Sequence, residues 1–255
     1  MLLNVHHAGA PDGPPVLAVH GVTGHGLRFR PLFDACPQLR WISVDVRGHG
    51  RSRWAPPWNL ERHVADALDV LDGLGIGRAA VVGHSFGGAI ATHLARTAPD
   101  RVSRLVLIDP AIGLDPDDML ERAEEFRADQ SWTSVAAARA DRVATWPGVS
   151  GELVDAELAD HLEERDGALR WRYSRASVVA AWSEMARPAL VPPAGLPTLV
   201  LPATGADFVR DGWLDACRAA LGDDLTVRPF DTGHMVYLER PAETAAELRA
   251  FLTTP

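Results

Sequence analysis

The chain has 255 residues, of which 47% are hydrophobic, and its formal net charge is −9. A chain of this length and apolar content can bury a substantial core, which excludes an intrinsically disordered protein. The acidic balance argues against nucleic acid or an anionic membrane surface as a partner.

The sequence shows none of the usual signs of membrane insertion or secretion. No apolar run approaches the roughly 20 residues that span a bilayer. Residues 1–7 lack the basic start and long apolar stretch of a signal peptide. Two cysteines, Cys36 and Cys217, are too few for a disulfide framework and favour buried thiols. We therefore expect a cytoplasmic protein.

The first half of the chain alternates between strands and helices. Apolar runs predict strands at residues 2–6, 16–20, 41–45, 79–82 and 105–109. Helices are predicted at residues 28–35, from Asn59 as N-cap to about 73–77, and from Gly87 to just before Pro99. This alternation predicts βαβ units and a mostly parallel sheet, and hence the α/β fold class.

The alternation stops between residues 113 and 195, where no strand is predicted. Helical stretches are predicted at residues 116–128, 131–145, 152–165 and 174–187. Because a segment this long cannot be a bare loop, we interpret it as a helical cap inserted into a core of residues 1–112 and 196–255. The cap holds four of the eight tryptophans, and we expect Trp132 and Trp146 to line the substrate pocket.

The α/β pattern resumes at residue 196. A strand at residues 198–201, a helix at 211–221, a strand at 225–230 and a final helix at 241–252 are predicted. The polar loop at residues 231–234 follows the last of these strands directly and ends in His234. Since the carboxyl edge of a parallel sheet gathers catalytic groups, this loop is a candidate part of an active site.

A Gly-x-Ser-x-Gly motif occupies residues 83–87, between a predicted strand and a predicted helix. A serine on so tight a turn requires flanks without bulky side chains, which Gly83 and Gly87 provide. The turn exposes the hydroxyl of Ser85 and places the backbone N–H of Phe86 at a helix N-terminus, where negative charge is favoured. One turn therefore predicts a nucleophile and half of an oxyanion hole.

A serine nucleophile needs a base, and the base needs an acid that orients it. His234 is the predicted base. Two acids compete: Asp207 follows the strand at 198–201, and Asp109 ends the strand at 105–109. Asp207 is preferred because it gives the chain order Ser, Asp, His that this architecture expects.

The loop after His20 is predicted to supply the second oxyanion donor. Gly21 and Gly24 allow its backbone to bend, and Val22 N–H is the candidate donor. His20 itself is interpreted as structural, bonding its own loop. Arg28 and Phe29, farther along, are candidate substrate contacts.

Neither a metal ion nor a cofactor is predicted. The pair His6-His7 and the scattered carboxylates lack the spacing of a metal site. The glycine-rich residues 45–50 lack the Lys-Ser/Thr pair of a phosphate-binding loop, so we expect them to brace the sheet edge.

Taken in order, five motifs resemble the α/β-hydrolase fold superfamily: His20-Gly21, residues 45–52, residues 83–88, Gly205-Ala206-Asp207 and Gly233-His234. The resemblance covers roughly residues 15–112 and 196–252. It implies a mostly parallel sheet of about eight strands with a lid inserted after the sixth. It also implies Ser85 as nucleophile, His234 as base, Asp207 as acid, and Val22 and Phe86 as oxyanion donors. The acid turn is one residue shorter than the usual Gly-x-x-Asp.

The leading functional prediction is a serine hydrolase that cleaves a small carboxylic ester, lactone or thioester. Relatives that hydrolyse haloalkanes or epoxides use aspartate at the position of Ser85, so a serine there argues against those reactions. A C–C bond hydrolase acting on a diketone and a ligand-binding receptor with slow turnover remain alternatives. The expected partner is a small-molecule substrate, and the sequence predicts no oligomeric state.

Overall fold

The computed structural model describes residues 3–128 and 130–253. These residues form two β-sheets. The strands within them are β1 (Val5–Gly9), β2 (Pro15–Val19), β3 (Arg40–Val44), β4 (Ala79–His84), β5 (Val102–Ile108), β6 (Leu162–Arg165), β7 (Ala168–Trp171), β8 (Thr198–Leu201) and β9 (Leu225–Val227). The larger sheet has seven strands in the order β1-β3-β2-β4-β5-β8-β9, and β6 pairs with β7 alone. Strand β1 is antiparallel to β3, and the other pairings of the main sheet are parallel.

Helices connect the strands of this sheet and make up much of the segment inserted after β5. They are α1 (Arg30–Ala35), α2 (Leu60–Gly73), α3 (Phe86–Thr97), α4 (Pro116–Glu125), α5 (Val135–Thr145), α6 (Gly151–His161), α7 (Arg175–Met185), α8 (Asp211–Leu221), α9 (Val236–Glu239) and α10 (Pro241–Thr253). A 3-10 turn, Gly26–Phe29, precedes α1 and takes the place of the predicted first helical turn. Asn59 caps α2 as predicted, since its side chain accepts a hydrogen bond from Arg62 N–H.

The predicted α/β class is confirmed, because parallel strands alternate with helices through both parts of the core. The central strands β4 and β8 are buried along their whole length, as their continuous apolar runs predict. Three details differ from expectation. The described main sheet has seven strands rather than about eight, and the inserted segment follows its fifth strand rather than its sixth. The first strand begins at Val5, and residue 2 lies outside the described residues.

The segment at residues 113–195, here called the inserted segment, contains the four helices α4 to α7. Each begins after a residue whose side chain accepts a hydrogen bond from the helix backbone; these N-caps are Asp115, Ser134, Ser150 and Ser174. The expectation of a purely helical segment is wrong, because residues 162–171 form the β6–β7 hairpin. Its turn is Asp166-Gly167, with φ of 53° and 74°. An Asp-Gly pair at this position is typical of a tight hairpin turn.

The inserted segment packs on the loops that follow β2 and β3. Gly48 accepts a hydrogen bond from the Ser174 N–H at 2.7 Å, and the Gly50 N–H donates to Arg172 O at 2.7 Å. Arg28 and Glu157 form an ion pair between the core and α6. These contacts hold the segment over the carboxyl edge of the sheet.

The glycine-rich residues 45–50 brace the sheet edge, as predicted. The Asp45 carboxylate accepts hydrogen bonds from Gly26 N–H at 2.7 Å and Arg51 N–H at 2.9 Å. Burial would raise the pKa of Asp45, but the hydrogen bonds from His6, Arg51 and Gly26 outweigh it and hold that pKa far below its usual value. The carboxylate therefore ties together β1, the 3-10 turn at Gly26–Phe29 and the loop after β3.

Cys36 and Cys217 are both free and buried, which confirms the interpretation as thiols. Across residues 3–128 and 130–253, none of the helices is both long and apolar enough to cross a membrane.

Candidate active site

Ser85 lies on the turn between β4 and α3, and its backbone is strained. Its φ of 55° and ψ of −122° fall in a region that non-glycine residues rarely adopt. Ser85 N–H donates to Ile108 O at 3.1 Å, and Ala111 N–H donates to Ser85 O at 3.2 Å. Hydrogen bonds to the segment at the end of β5 thus fix the strained turn on both sides.

The turn at residues 21–24 lies directly against Ser85. A Cβ on Gly21 would sit 2.8 Å from the Ser85 Cβ, so only glycine allows this approach. Gly24 N–H donates to Gly21 O at 3.0 Å, and Thr23 N–H donates to His49 Nε2 at 3.2 Å. Within the described part of the chain, Val22 N–H has no hydrogen-bond acceptor.

Phe86 is the first residue of α3, so its N–H has no acceptor within the helix. Val22 N–H and Phe86 N–H thus belong to two backbone segments that meet at Ser85, and both are available to a developing oxyanion.

The structure pairs His234 with Asp109. Nδ1 of His234 lies 2.5 Å from Oδ2 of Asp109, whose side chain is fully buried. The other carboxylate oxygen, Oδ1, accepts a hydrogen bond from Ala203 N–H at 3.0 Å. With its Nδ1 hydrogen directed at a carboxylate, the imidazole presents Nε2 as a proton acceptor.

The preference for Asp207 as this acid is corrected by the structure. The Asp207 side chain is exposed and lines a surface cleft with Leu114 and Asp118. The reason is geometric. Asp109 follows β5, which pairs directly with β4, the strand that ends just before Ser85, whereas Asp207 lies on the long loop after β8. That loop contributes the Phe208 ring instead, which stacks on His234 with ring centroids 4.1 Å apart.

His84, one residue before Ser85, supports His234 from below. Its Nε2–H donates to the backbone oxygen of His234 at 3.0 Å, and the two ring centroids are 4.6 Å apart. Burial and the neighbouring His234 hold the pKa of His84 well below 6.5, so it stays neutral. Sequence reasoning missed this residue, although its position inside the Gly-His-Ser motif marks it.

Ser85 and His234 are thereby brought to the same edge of the sheet. In the described residues, no hydrogen bond joins Ser85 Oγ to His234. Catalytic contacts of this kind are often long in ligand-free enzymes and tighten when substrate binds.

His20 has the structural role predicted for it. Its Nε2 accepts a hydrogen bond from Val46 N–H at 2.9 Å, and its Nδ1–H donates to Gly21 O at 2.7 Å. The imidazole thus fixes the carbonyl of Gly21, at the start of the turn that carries Val22.

The four predicted substrate contacts have different fates. Phe29 is fully buried in the core and stacks on Tyr237 at 5.0 Å, which corrects its assignment to the pocket. Arg28 is also buried and is bound to Glu157. Trp146 is 8% exposed and contacts Arg28 of the core and Arg142 of α5. Trp132 lines a cavity of about 440 Å³ that also contains Thr23, next to the Val22 donor.

Sequence reasoning also missed a buried charged cluster beneath the inserted segment. Both Glu157 oxygens are used: Oε1 accepts from Arg28 Nη2 at 2.5 Å, and Oε2 contacts His25 Nε2 at 2.9 Å and Arg28 Nε at 3.1 Å. Burial alone would raise the pKa of Glu157, but Arg28 and His25 overcome it and hold that pKa well below 4.5. The cluster anchors α6 to the loop that contains the turn at residues 21–24.

A family model described as the alpha/beta hydrolase fold matches residues 14–241 of this sequence. The chain belongs to the alpha/beta hydrolase fold family. The resemblance seen in the motifs is therefore confirmed.

Named relatives of this alpha/beta hydrolase include lipases and esterases. Lipase LipV of Mycobacterium tuberculosis is 40% identical over 258 residues, which cover 99% of both chains. Esterase YbfF of Escherichia coli is 26% identical, and the match covers 94% of both chains. The crystal structure of E-2-(acetamidomethylene)succinate hydrolase superposes with a TM-score of 0.84 at 24% identity, covering 99% of this chain and 95% of that one.

Proposed function

We propose that this alpha/beta hydrolase cleaves a carboxylic ester through an acyl-enzyme on Ser85, with His234 as base and Asp109 as acid. One observation carries the proposal: a buried carboxylate holds His234 at the sheet edge where the strained turn presents Ser85. The names of the lipase and esterase relatives favour an ester among the substrates that share this chemistry. Lactones and thioesters would react by the same steps.

In the acylation step, His234 Nε2 accepts the proton of Ser85 Oγ as that oxygen attacks the ester carbonyl. The carbonyl oxygen becomes negatively charged and accepts hydrogen bonds from Val22 N–H and Phe86 N–H. The C–O bond to the alcohol then breaks, and the imidazolium returns its proton to the leaving alkoxide.

In the deacylation step, His234 removes a proton from water, and the resulting hydroxide attacks the acyl carbonyl. The bond to Ser85 Oγ breaks, the serine regains the proton, and the carboxylic acid leaves. Asp109 stabilises the imidazolium in both steps because its carboxylate lies beside Nδ1. The backbone bond from Ala203 N–H holds that carboxylate in place.

Replacement of the nucleophile tests this proposal. Ser85→Ala should lower kcat for a short aryl ester by roughly 10⁵- to 10⁶-fold, because nothing else at the turn can form the acyl-enzyme. Ser183→Ala, at an exposed serine of α7, is the matched control and should retain full activity. A fluorophosphonate should phosphonylate the wild-type protein with loss of HF, adding the mass of its phosphonyl group, and should leave Ser85→Ala unmodified.

Two outcomes would redirect the assignment. Full ester turnover by Ser85→Ala would refute the serine mechanism. A diketone cleaved faster than every ester tested would instead establish the C–C hydrolase alternative.

A further inference from the structure

Arg142, on α5, is a buried cation for which the described residues provide no hydrogen-bond acceptor. Its side chain is 92% buried, since only 8% is exposed, and its Nε has no hydrogen-bond partner among the described residues. The arginines near it are paired: Arg28 binds Glu157, and Arg139 binds Asp155 at 2.6 Å. In the described part of the chain, no carboxylate forms an ion pair with Arg142.

Two tryptophans stabilise this guanidinium from its faces. Its central carbon lies 4.5 Å from the ring centroid of Trp146 and 4.2 Å from that of Trp171. Stacking of this kind uses the faces of the guanidinium, whereas its N–H donors point outward in the plane. The in-plane donors are therefore left for a hydrogen-bonding ligand.

Glu157, the buried carboxylate nearest in the cluster, is already saturated by Arg28 and His25. With Glu157 ionised, Arg28 and Arg142 leave this buried region with a net charge of about +1. Burial lowers the pKa of Arg142 to about 10, so the side chain stays protonated at neutral pH. Among the described residues, no buried carboxylate is therefore left to pair with Arg142.

Arg142 lines the same cavity of about 440 Å³ that reaches Thr23, in the turn at residues 21–24. The wall on the core side is Thr23, which directly follows the Val22 donor and whose turn borders Ser85. Tyr173 and Trp132 line the walls between, and the exposed Asp141 stands at the rim. The cavity therefore extends from Arg142 to the turn that borders Ser85.

We propose that Arg142 binds a carboxylate carried by the substrate, so that the enzyme prefers esters bearing a single anionic group away from the scissile bond. A planar carboxylate matches the in-plane donors of the guanidinium and supplies a negative charge to pair with it. This inference rests on the proposed ester hydrolysis at Ser85. It assigns Arg142 to specificity and not to the chemical steps.

The first test compares two esters of equal length, 4-nitrophenyl hexanoate and the 4-nitrophenyl monoester of adipic acid. Arg142→Met should raise KM for the adipate monoester by about 10- to 100-fold, leave its kcat nearly unchanged, and leave both constants for the hexanoate unchanged. Arg142→Lys should recover part of the loss. Arg139→Met, three residues earlier on α5, is the matched control and should change neither substrate.

The proposal is overturned if Arg142→Met leaves KM for the adipate monoester unchanged, or raises KM equally for both esters. Thermal unfolding of each variant shows whether it folds. If Arg142→Met does not fold, the neutral variant Arg142→Gln decides in its place: an unchanged preference for the adipate monoester over the hexanoate overturns the proposal.

A binding experiment separates this proposal from the proposed function. Calorimetry should detect monomethyl adipate binding to Ser85→Ala, and at least about 10-fold weaker binding to Ser85→Ala/Arg142→Met. Equal binding to both proteins would refute the carboxylate site even if Ser85 proves to be the nucleophile. Loss of binding only in the double variant would support the site even if esters are not the substrates.

Discussion

Asp109 connects His234 to the end of β8 through its carboxylate and its backbone N–H. One oxygen contacts His234, the other accepts from Ala203 N–H, and the backbone N–H donates to Leu201 O at 2.9 Å. Its φ of 39° is unusual for a residue with a side chain. Thr23 and Ser85, with φ of 61° and 55°, are strained in the same way, so strained residues gather where the reaction is proposed to occur.

The two aspartates give a direct prediction at the residue scale. Asp109→Asn should lower kcat for an aryl ester by about 10³- to 10⁴-fold, because His234 would lose the carboxylate that fixes its tautomer. Asp207→Asn should leave kcat within about 2-fold, since that side chain is exposed and away from His234. Steady-state kinetics on both variants decide the matter, and the reverse ranking would reinstate Asp207.

At the scale of elements, the turn at residues 83–87 depends on how closely α3 approaches β2. A Cβ on Gly87 would overlap the backbone oxygen of Val19 and lie 2.7 Å from that of His20. Both obstacles are backbone atoms of the central sheet, which cannot rotate aside. Gly87, two residues after Ser85, thus sets the distance between α3 and the sheet as well as the shape of the turn.

This close contact predicts opposite effects for two glycine substitutions. Gly87→Ala should lower the free energy of unfolding by on the order of 3 kcal/mol, because α3 would have to move away from β2. Gly212→Ala, in α8, should raise it by about 0.5 kcal/mol, since nothing lies within 4 Å of its added Cβ and alanine favours the helix. Urea unfolding measures both, and equal stabilities for the two variants would contradict the packing argument.

At the scale of the whole molecule, histidines make up much of the buried polar interior. In five of the buried histidines, burial is the largest influence on the pKa and holds it below 6.5; they are His20, His49, His63, His84 and His161. The values fall to about 4 for His49 and about 3 for His63. All five are therefore neutral in the folded protein at pH values where the unfolded chain would protonate them.

Stability should consequently fall as the pH drops below 6.5. In that range the unfolded state binds protons at these histidines and the folded state does not. Each such histidine therefore lowers the free energy of unfolding by about 1 kcal/mol between pH 6.5 and about 5.5. Urea unfolding at pH 7.5, 6.5 and 5.5 should show this loss, while His63→Gln should lose less over the same interval. A free energy of unfolding that stays constant down to about pH 5.5 would contradict the buried-neutral assignment.

The sequence determined the fold class and two members of the proposed triad, because the signals for both are local. Continuous apolar runs predict buried parallel strands, and Gly-x-Ser-x-Gly between a strand and a helix defines its own turn. The Asp-Gly pair at residues 166–167 was an equally local signal for a hairpin that the helical interpretation of the inserted segment overlooked.

Only the tertiary structure decided the choice between the two aspartates and the surroundings of Arg142. Chain order favoured Asp207, but contact with His234 depends on which strand lies beside β4, and strand order follows from packing across the whole sheet. Arg142 stands next to Asp141 in the sequence, which suggests a solvated pair. Folding instead buries Arg142 between Trp146, the C-terminal cap of its own helix, and Trp171 of β7. It leaves Asp141 exposed, because neighbours on a helix point to different faces.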